Sequence, residues 1–138
     1  MEVEKICKEE LACSMRGEPT VRFTYLGVVF FNKSAVSHLG LYDKKSGTYC
    51  SVHICRDVKN KADFGVFKDG EGWLLRKDRD GAVFNSAGLA RHVIDATWDR
   101  CCHAVGAVKP SSMVFRIARL PLDDDKNKDV FALLRNKS

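Results

Sequence analysis

The residues best suited to chemistry gather in two places. Cys50-Ser51-Val52-His53-Ile54-Cys55 brings two thiols and an imidazole close together, and Cys101-Cys102-His103 adds a second group further on. Zinc asks for four soft ligands converging tetrahedrally, usually from pairs two to four residues apart on turns. The 50–55 stretch alternates like a strand, which puts His53 and Cys55 on one face and Cys50 on the other. That arrangement fits a zinc knuckle poorly, so no metal and no other cofactor is expected. A Cys–His nucleophile needs a depressed thiol pKa and an adjacent base. His53 beside Cys55 and His103 beside Cys102 are neighbours in sequence only. His38 and His92 stand near helix ends, where a cationic ring is favoured. The stretch Asp69-Gly70-Glu71-Gly72-Trp73 lacks the Lys-Ser/Thr pair and the strand-loop-helix context of a phosphate loop, and reads as a hairpin turn. A non-enzymatic chain is the expectation.

WLLRKDR, residues 73–79, is the most informative stretch. In a strand it places Trp73, Leu75, Lys77 and Arg79 on one face and Leu74, Arg76 and Asp78 on the other. Proteins that bind single strands line cations along a groove and expose rings on which bases stack, each stack contributing roughly 1–3 kcal/mol. Trp73 with Lys77 and Arg79 meets that requirement, and Arg56, Lys68, Arg116 and Arg119 fall on other strands of the expected sheet. These seven are the candidate nucleic-acid-binding residues. The plainer alternative makes Trp73 a core residue and the cations the solvated face of an antiparallel sheet. The net charge of +5 over 138 residues favours a polyanionic partner modestly.

The elements that must position these groups follow from apolar spacing. Val3, Ile6, Cys7 and Leu11 share a helical face before Gly17 and Pro19 interrupt it. VRFTYLGVVFF, from Val21, is rich in β-branched and aromatic residues, and predicts one bent strand or two meeting at Gly27. Asn32 or Ser34 then caps a two-turn helix that stops at Gly40. Four strands follow: TYCSVHIC, ADFGVFKD, WLLRKDR and AVFN, the last two joined by a tight Asp-Gly turn. Asn85 or Ser86 caps a second helix with Leu89, Val93 and Ile94 inward. SMVFRIARLPL and DVFALLR close an antiparallel hairpin across a charged DDDKNKD turn. The whole chain, 1–138, is expected to be a single α+β domain, a curved antiparallel sheet with two or three short helices.

One phrase is stated twice. VFFNKSAVSHLGL from Val29 and VFNSAGLARHVID from Val83 each run from an apolar strand through an Asn/Ser corner into a helix bearing a His. Two such units suggest a pseudo-twofold repeat with halves 20–72 and 73–138. Chance is the alternative, because strand-to-helix corners generally recruit Asn and Ser.

From Tyr49 to Asp95 the predicted order is four strands and then a helix. It resembles the ββββα repeat of the Pur-alpha family, and of the Whirly and transcriptional-coactivator families that bind single-stranded DNA. The resemblance covers about a third of the chain, and it implies a sheet that presents basic and aromatic residues to nucleic acid while the helix packs elsewhere. VVFFNKSAVSHLGL also looks like the opening of AbrB-type swapped-hairpin regulators, although DKKSGTY stands where their Gly-Asp turn would come. The expected function is a small DNA-binding protein that prefers single strands and binds through phosphates and stacking. The alternative is a protein-interaction module forming a homodimer through a sheet edge. No apolar run is long enough to span a membrane, and MEVEKICKEELACSM has no apolar signal-peptide core, so a cytoplasmic chain with reduced cysteines is expected.

Overall fold

Val21-Arg22-Phe23-Thr24 alternates apolar and polar, and it forms β1 (Thr20–Thr24), with Val21 and Phe23 buried and Arg22 exposed. A turn at Gly27 returns the chain into β2 (Val28–Phe31). Gly27 has φ +105°, and a Cβ there would lie 2.8 Å from the Ala87 Cα, so both backbone conformation and space demand glycine. The structure, a computed structural model, describes residues 17–57, 59–60, 63–100, 108–121 and 129–135. The expected N-terminal helix, the Cys101-Cys102-His103 group and the DDDKNKD turn lie outside the described residues.

Asn32 ends β2 and caps helix α1 (Lys33–Leu39): its side-chain oxygen accepts from the Ala35 N–H at 2.8 Å and the Thr20 N–H at 3.1 Å. Gly40, in the left-handed region, terminates the helix. A small hairpin of β3 (Tyr42–Asp43) and β4 (Thr48–Tyr49) leads into β5 (Ser51–Arg56) and β6 (Phe64–Lys68). Then come β7 (Trp73–Leu74), β8 (Arg76–Asp78), β9 (Gly81–Asn85), helix α2 (Ala87–Arg100), β10 (Ser112–Ile117) and β11 (Phe131–Arg135). Of the two predicted caps for α2, Ser86 is the one used; its hydroxyl accepts from the Leu89 N–H at 3.3 Å.

The large sheet has nine strands in the order β7-β5-β6-β11-β10-β1-β2-β9-β8, and its neighbours pair antiparallel. Its two ends, β7 and β8, are consecutive in the chain, with only Leu75 between them. The sheet therefore curls until its margins meet in one segment, giving a near-closed barrel. This corrects two expectations. WLLRKDR is not one strand: Ser51 and Val52 pair with Leu74 and Trp73, and the chain then crosses at Leu75 to pair Arg76 with Val83. The helices also do not shield the reverse of an open sheet. They follow the C-terminal ends of β2 and β9, which pair antiparallel, so they lie at opposite ends of the barrel.

One buried cluster fills the interior, drawing on Val21, Phe23, Phe31, Val52, Val66, Phe84, Phe115 and Leu133 from the strands and on Leu39, Val93 and Ile94 from the helices. Phe23 and Phe115 meet edge to face at 5.5 Å. Each large side chain so buried is worth about 1.5–3 kcal/mol relative to exposure. Closure thus gives the barrel an apolar inside and leaves the alternate residue of each strand facing out.

Candidate nucleic-acid interface

The seven predicted residues do not share a face. Trp73 pairs in register with fully buried Val52, and its half-buried ring stacks on Phe84, centroids 5.2 Å apart and planes 10° from parallel. It is a packing residue, which corrects the expectation of an exposed stacking platform. Lys77 pairs with fully buried Ala82, and so lies on the inward side of β8 at the barrel's rim. Arg79 occupies the β8–β9 turn with φ +56°. The Asp-Gly signal thus marked the right turn, yet Gly81 is required for space: a Cβ there would stand 2.1 Å from the Phe31 carbonyl oxygen. Arg56 ends β5, and its Nη1 lies 3.4 Å from His92 Nε2 beside α2. Lys68 ends β6 at the opposite rim and lines a cavity. Arg116 points outward from β10, and Arg119 follows it, exposed, beyond the strand.

Arg116 belongs to a face that sequence reasoning missed. Register places Val114, Arg22, Phe30, Val83 and Arg76 in one row across β10, β1, β2, β9 and β8. A second row runs Leu134, Arg116, Thr20 across β11, β10 and β1. Directly paired residues share a face, and these residues alternate with the interior set, so both rows lie on the outside of the barrel. Val83 is buried yet stands apart from the core cluster, lying between Phe30 and Arg76 in the row. The tip of the Phe30 ring reaches Gly81, where a Cβ would meet its Cζ at 2.8 Å, and the Arg22 guanidinium sits over the ring, 5.7 Å from its centroid.

The electrostatics of this face are one-sided. Arg22, Arg76 and Arg116 make no ion pair among the described residues. Arg76 donates from Nη2 to the Asn85 side-chain oxygen, a neutral partner that orients the guanidinium and leaves its charge intact. The one carboxylate at an outward position of the described strands β8, β9, β2, β1, β10 and β11 is Asp78, at the β8–β9 turn. Arg22 and Arg76 are three strands apart, about 14 Å at ordinary strand spacing. The signal was available: Arg22 alternates with Val21 and Phe23 as cleanly as Arg76 does with Leu75.

At the α2 end, Tyr25 sits between two cations, with the Arg91 guanidinium 5.2 Å and the Lys109 ammonium 5.8 Å from its ring centroid. Lys109 donates to Asp95 Oδ1 at 2.7 Å, and the Tyr25 hydroxyl donates to Oδ2 at 3.3 Å. The hydrogen bond from Lys109 holds the Asp95 carboxyl below its ordinary value, and the same bond raises the Lys109 ammonium above its own. This cluster ties α2 to the loop before β10.

Among the described residues no group of three His, Cys, Asp or Glu side chains could hold a metal ion. Nor is any helix of the described residues long and apolar enough to cross a membrane. Comparison with protein-family models, with curated proteins and with solved structures gives no match.

Proposed function

We propose that this chain is a small, non-enzymatic nucleic-acid-binding protein that holds single strands against the outer face carrying Arg22, Phe30, Arg76 and Arg116. The observation that carries this reading is the row Val114–Arg22–Phe30–Val83–Arg76, a ring set between two guanidiniums that no carboxylate among the described residues neutralises. Guanidiniums attract phosphates with counterion release, and the half-buried Phe30 ring on a convex barrel offers apolar surface that an unstacked base can reach and one inside a duplex cannot. Arg116 and Arg119 of the original seven keep a phosphate-contacting role, whereas Trp73 passes its ring-bearing role to Phe30.

The duplication belongs to this reading as well. Exchanging the halves 20–72 and 73–138 converts the β1–β10 pairing into β7–β5 and turns β2–β9 and β6–β11 back into themselves. The helix histidines obey the same exchange: His38 packs edge-on against Phe131, the first residue of β11, and His92 against Phe64, the first residue of β6.

The test is fluorescence anisotropy with a labelled oligothymidylate at graded salt. Four phosphate contacts, at Arg22, Arg76, Arg116 and Arg119, predict a log–log slope of about −3, a loss of roughly 50-fold between about 50 and 200 mM salt. Binding that ignores salt would overturn the proposal. A protein partner is the second reading, favoured by Val114 and Leu134, which are 39% and 43% exposed on the same face. Among the described residues, closure leaves short β7 and β8 as the margins of the large sheet, so a partner on this sheet would meet its face and not an edge strand.

A further inference from the structure

The α1 end of the barrel holds a cavity of about 510 Å³, within the size range of small-molecule sites. Half-buried Phe131 gives it an apolar wall, fully buried Leu41, Val52 and Val66 lie beneath, and two oppositely charged groups line it, Lys68 and Asp129. Lys68 and Asp129 do not pair with one another, and neither makes a hydrogen bond or ion pair among the described residues. Two charges of opposite sign, unpaired among the described residues, thus stand at one cavity beside an aromatic ring. A simple anion would gain Lys68 and be repelled by Asp129; a simple cation would meet the reverse.

The third polar group is held in place. His38 Nε2 lies 3.1 Å from the Ala118 carbonyl oxygen, and its ring packs edge-on to Phe131 at 5.3 Å. A carbonyl can only accept, so Nε2 carries the proton and donates. An anion at Asp129, a cation at Lys68 and the apolar ring of Phe131 define the complementary ligand.

We propose that this cavity binds a small zwitterion with an apolar side chain, the class to which the apolar α-amino acids belong. The carboxylate meets Lys68, the ammonium meets Asp129, and the side chain covers Phe131. The site is independent of the outer face, and it gives Lys68 a role other than phosphate contact.

The experiment is calorimetry with L-phenylalanine on the full chain, beside phenylpropionate, which lacks the ammonium, and phenethylamine, which lacks the carboxylate. Phenylalanine should bind at one site, and each single-charge analogue at least about tenfold more weakly. Lys68→Met should weaken phenylalanine and phenylpropionate and tighten phenethylamine, whose ammonium Lys68 repels; Asp129→Asn should weaken phenylalanine and phenethylamine and tighten phenylpropionate. Both side chains are exposed, and an unchanged melting temperature checks that each variant is folded. Analogues that bind as well as phenylalanine, or variants that bind all three like the parent, overturn the proposal. So does the absence of saturable shifts in the Leu41, Val52 and Val66 methyl resonances up to about 20 mM ligand.

Discussion

The Trp73 ring lies parallel to the Phe84 ring with 5.2 Å between centroids, and this stack joins the segment that closes the barrel to the core strand β9. His53 meets the same indole edge-on at 5.7 Å. The indole therefore joins the neighbours β5 and β7 to β9, a strand that the sheet order alone would set far from them. Trp73→Ala should lower stability by about 2–4 kcal/mol, toward the low side of aromatic truncations because the ring is half-buried. Trp73→Phe should recover most of that in urea titrations. Oligothymidylate affinity should be the same for Trp73→Phe and the parent; a large loss would return this residue to the binding face.

Arg22→Ala, Arg76→Ala and Arg116→Ala should each weaken oligonucleotide binding and reduce the salt slope by about 0.7. Phe30→Leu removes the ring and keeps an apolar side chain, and should cost about 1–3 kcal/mol of affinity with little change in slope. Lys77→Ala, on the inward side of β8, is the control and should bind like the parent. Anisotropy titrations at several salt concentrations separate these outcomes.

Gly81→Ala should destabilise the fold by about 1–3 kcal/mol, because the new methyl meets the Phe31 carbonyl oxygen at 2.1 Å and that backbone cannot yield cheaply. It should also weaken oligonucleotide binding, since the new methyl displaces the tip of the Phe30 ring. Thermal melts and anisotropy on one preparation check both parts.

The Asp95–Lys109 pair predicts a pH dependence whose sign follows from its two shifts. Asp95 titrates below its ordinary value of 3.8 in the folded chain, so its contribution is complete above that value and disappears as pH falls through the depressed one. Lys109 titrates above its ordinary 10.5, so its contribution is complete below that value and disappears as pH rises through the raised one. The side chains are 38% and 39% exposed, so solvent and salt screen the pair and the effect is small. Lys109→Met should melt below the parent at neutral pH, and the gap should narrow at the acid extreme. A gap that widened on acidification would contradict the assignment.

Asn32→Ala should cost about 1–2 kcal/mol, because one side chain caps α1, accepts from Thr20 and donates to the Glu18 carbonyl at 2.9 Å. Asn32→Asp should keep the two accepted bonds and lose the donated one, giving a smaller loss. Denaturant titrations rank the three chains.

Local signals were enough for much of this protein. The alternation in VRFT and SMVFRI determined which residues of β1 and β10 turn inward, because a half-buried strand must separate apolar from polar at every second position. Asn32 with Gly40 bounded α1, since a helix end needs a side-chain acceptor at its start and a left-handed residue after its end. What the chain could not disclose locally was closure. Whether Trp73 looks in or out depends on its pairing with Val52, and whether Arg76 joins Arg22 depends on the intervening partners Val83 and Phe30. Those pairings reach across β9 and β2 and through the change of partner at Leu75, and no alternation within seven residues encodes them. Burial at each position is thus written in residue type, whereas the assembly of Arg22, Phe30, Arg76 and Arg116 into one face is decided by the register of strands far apart in sequence.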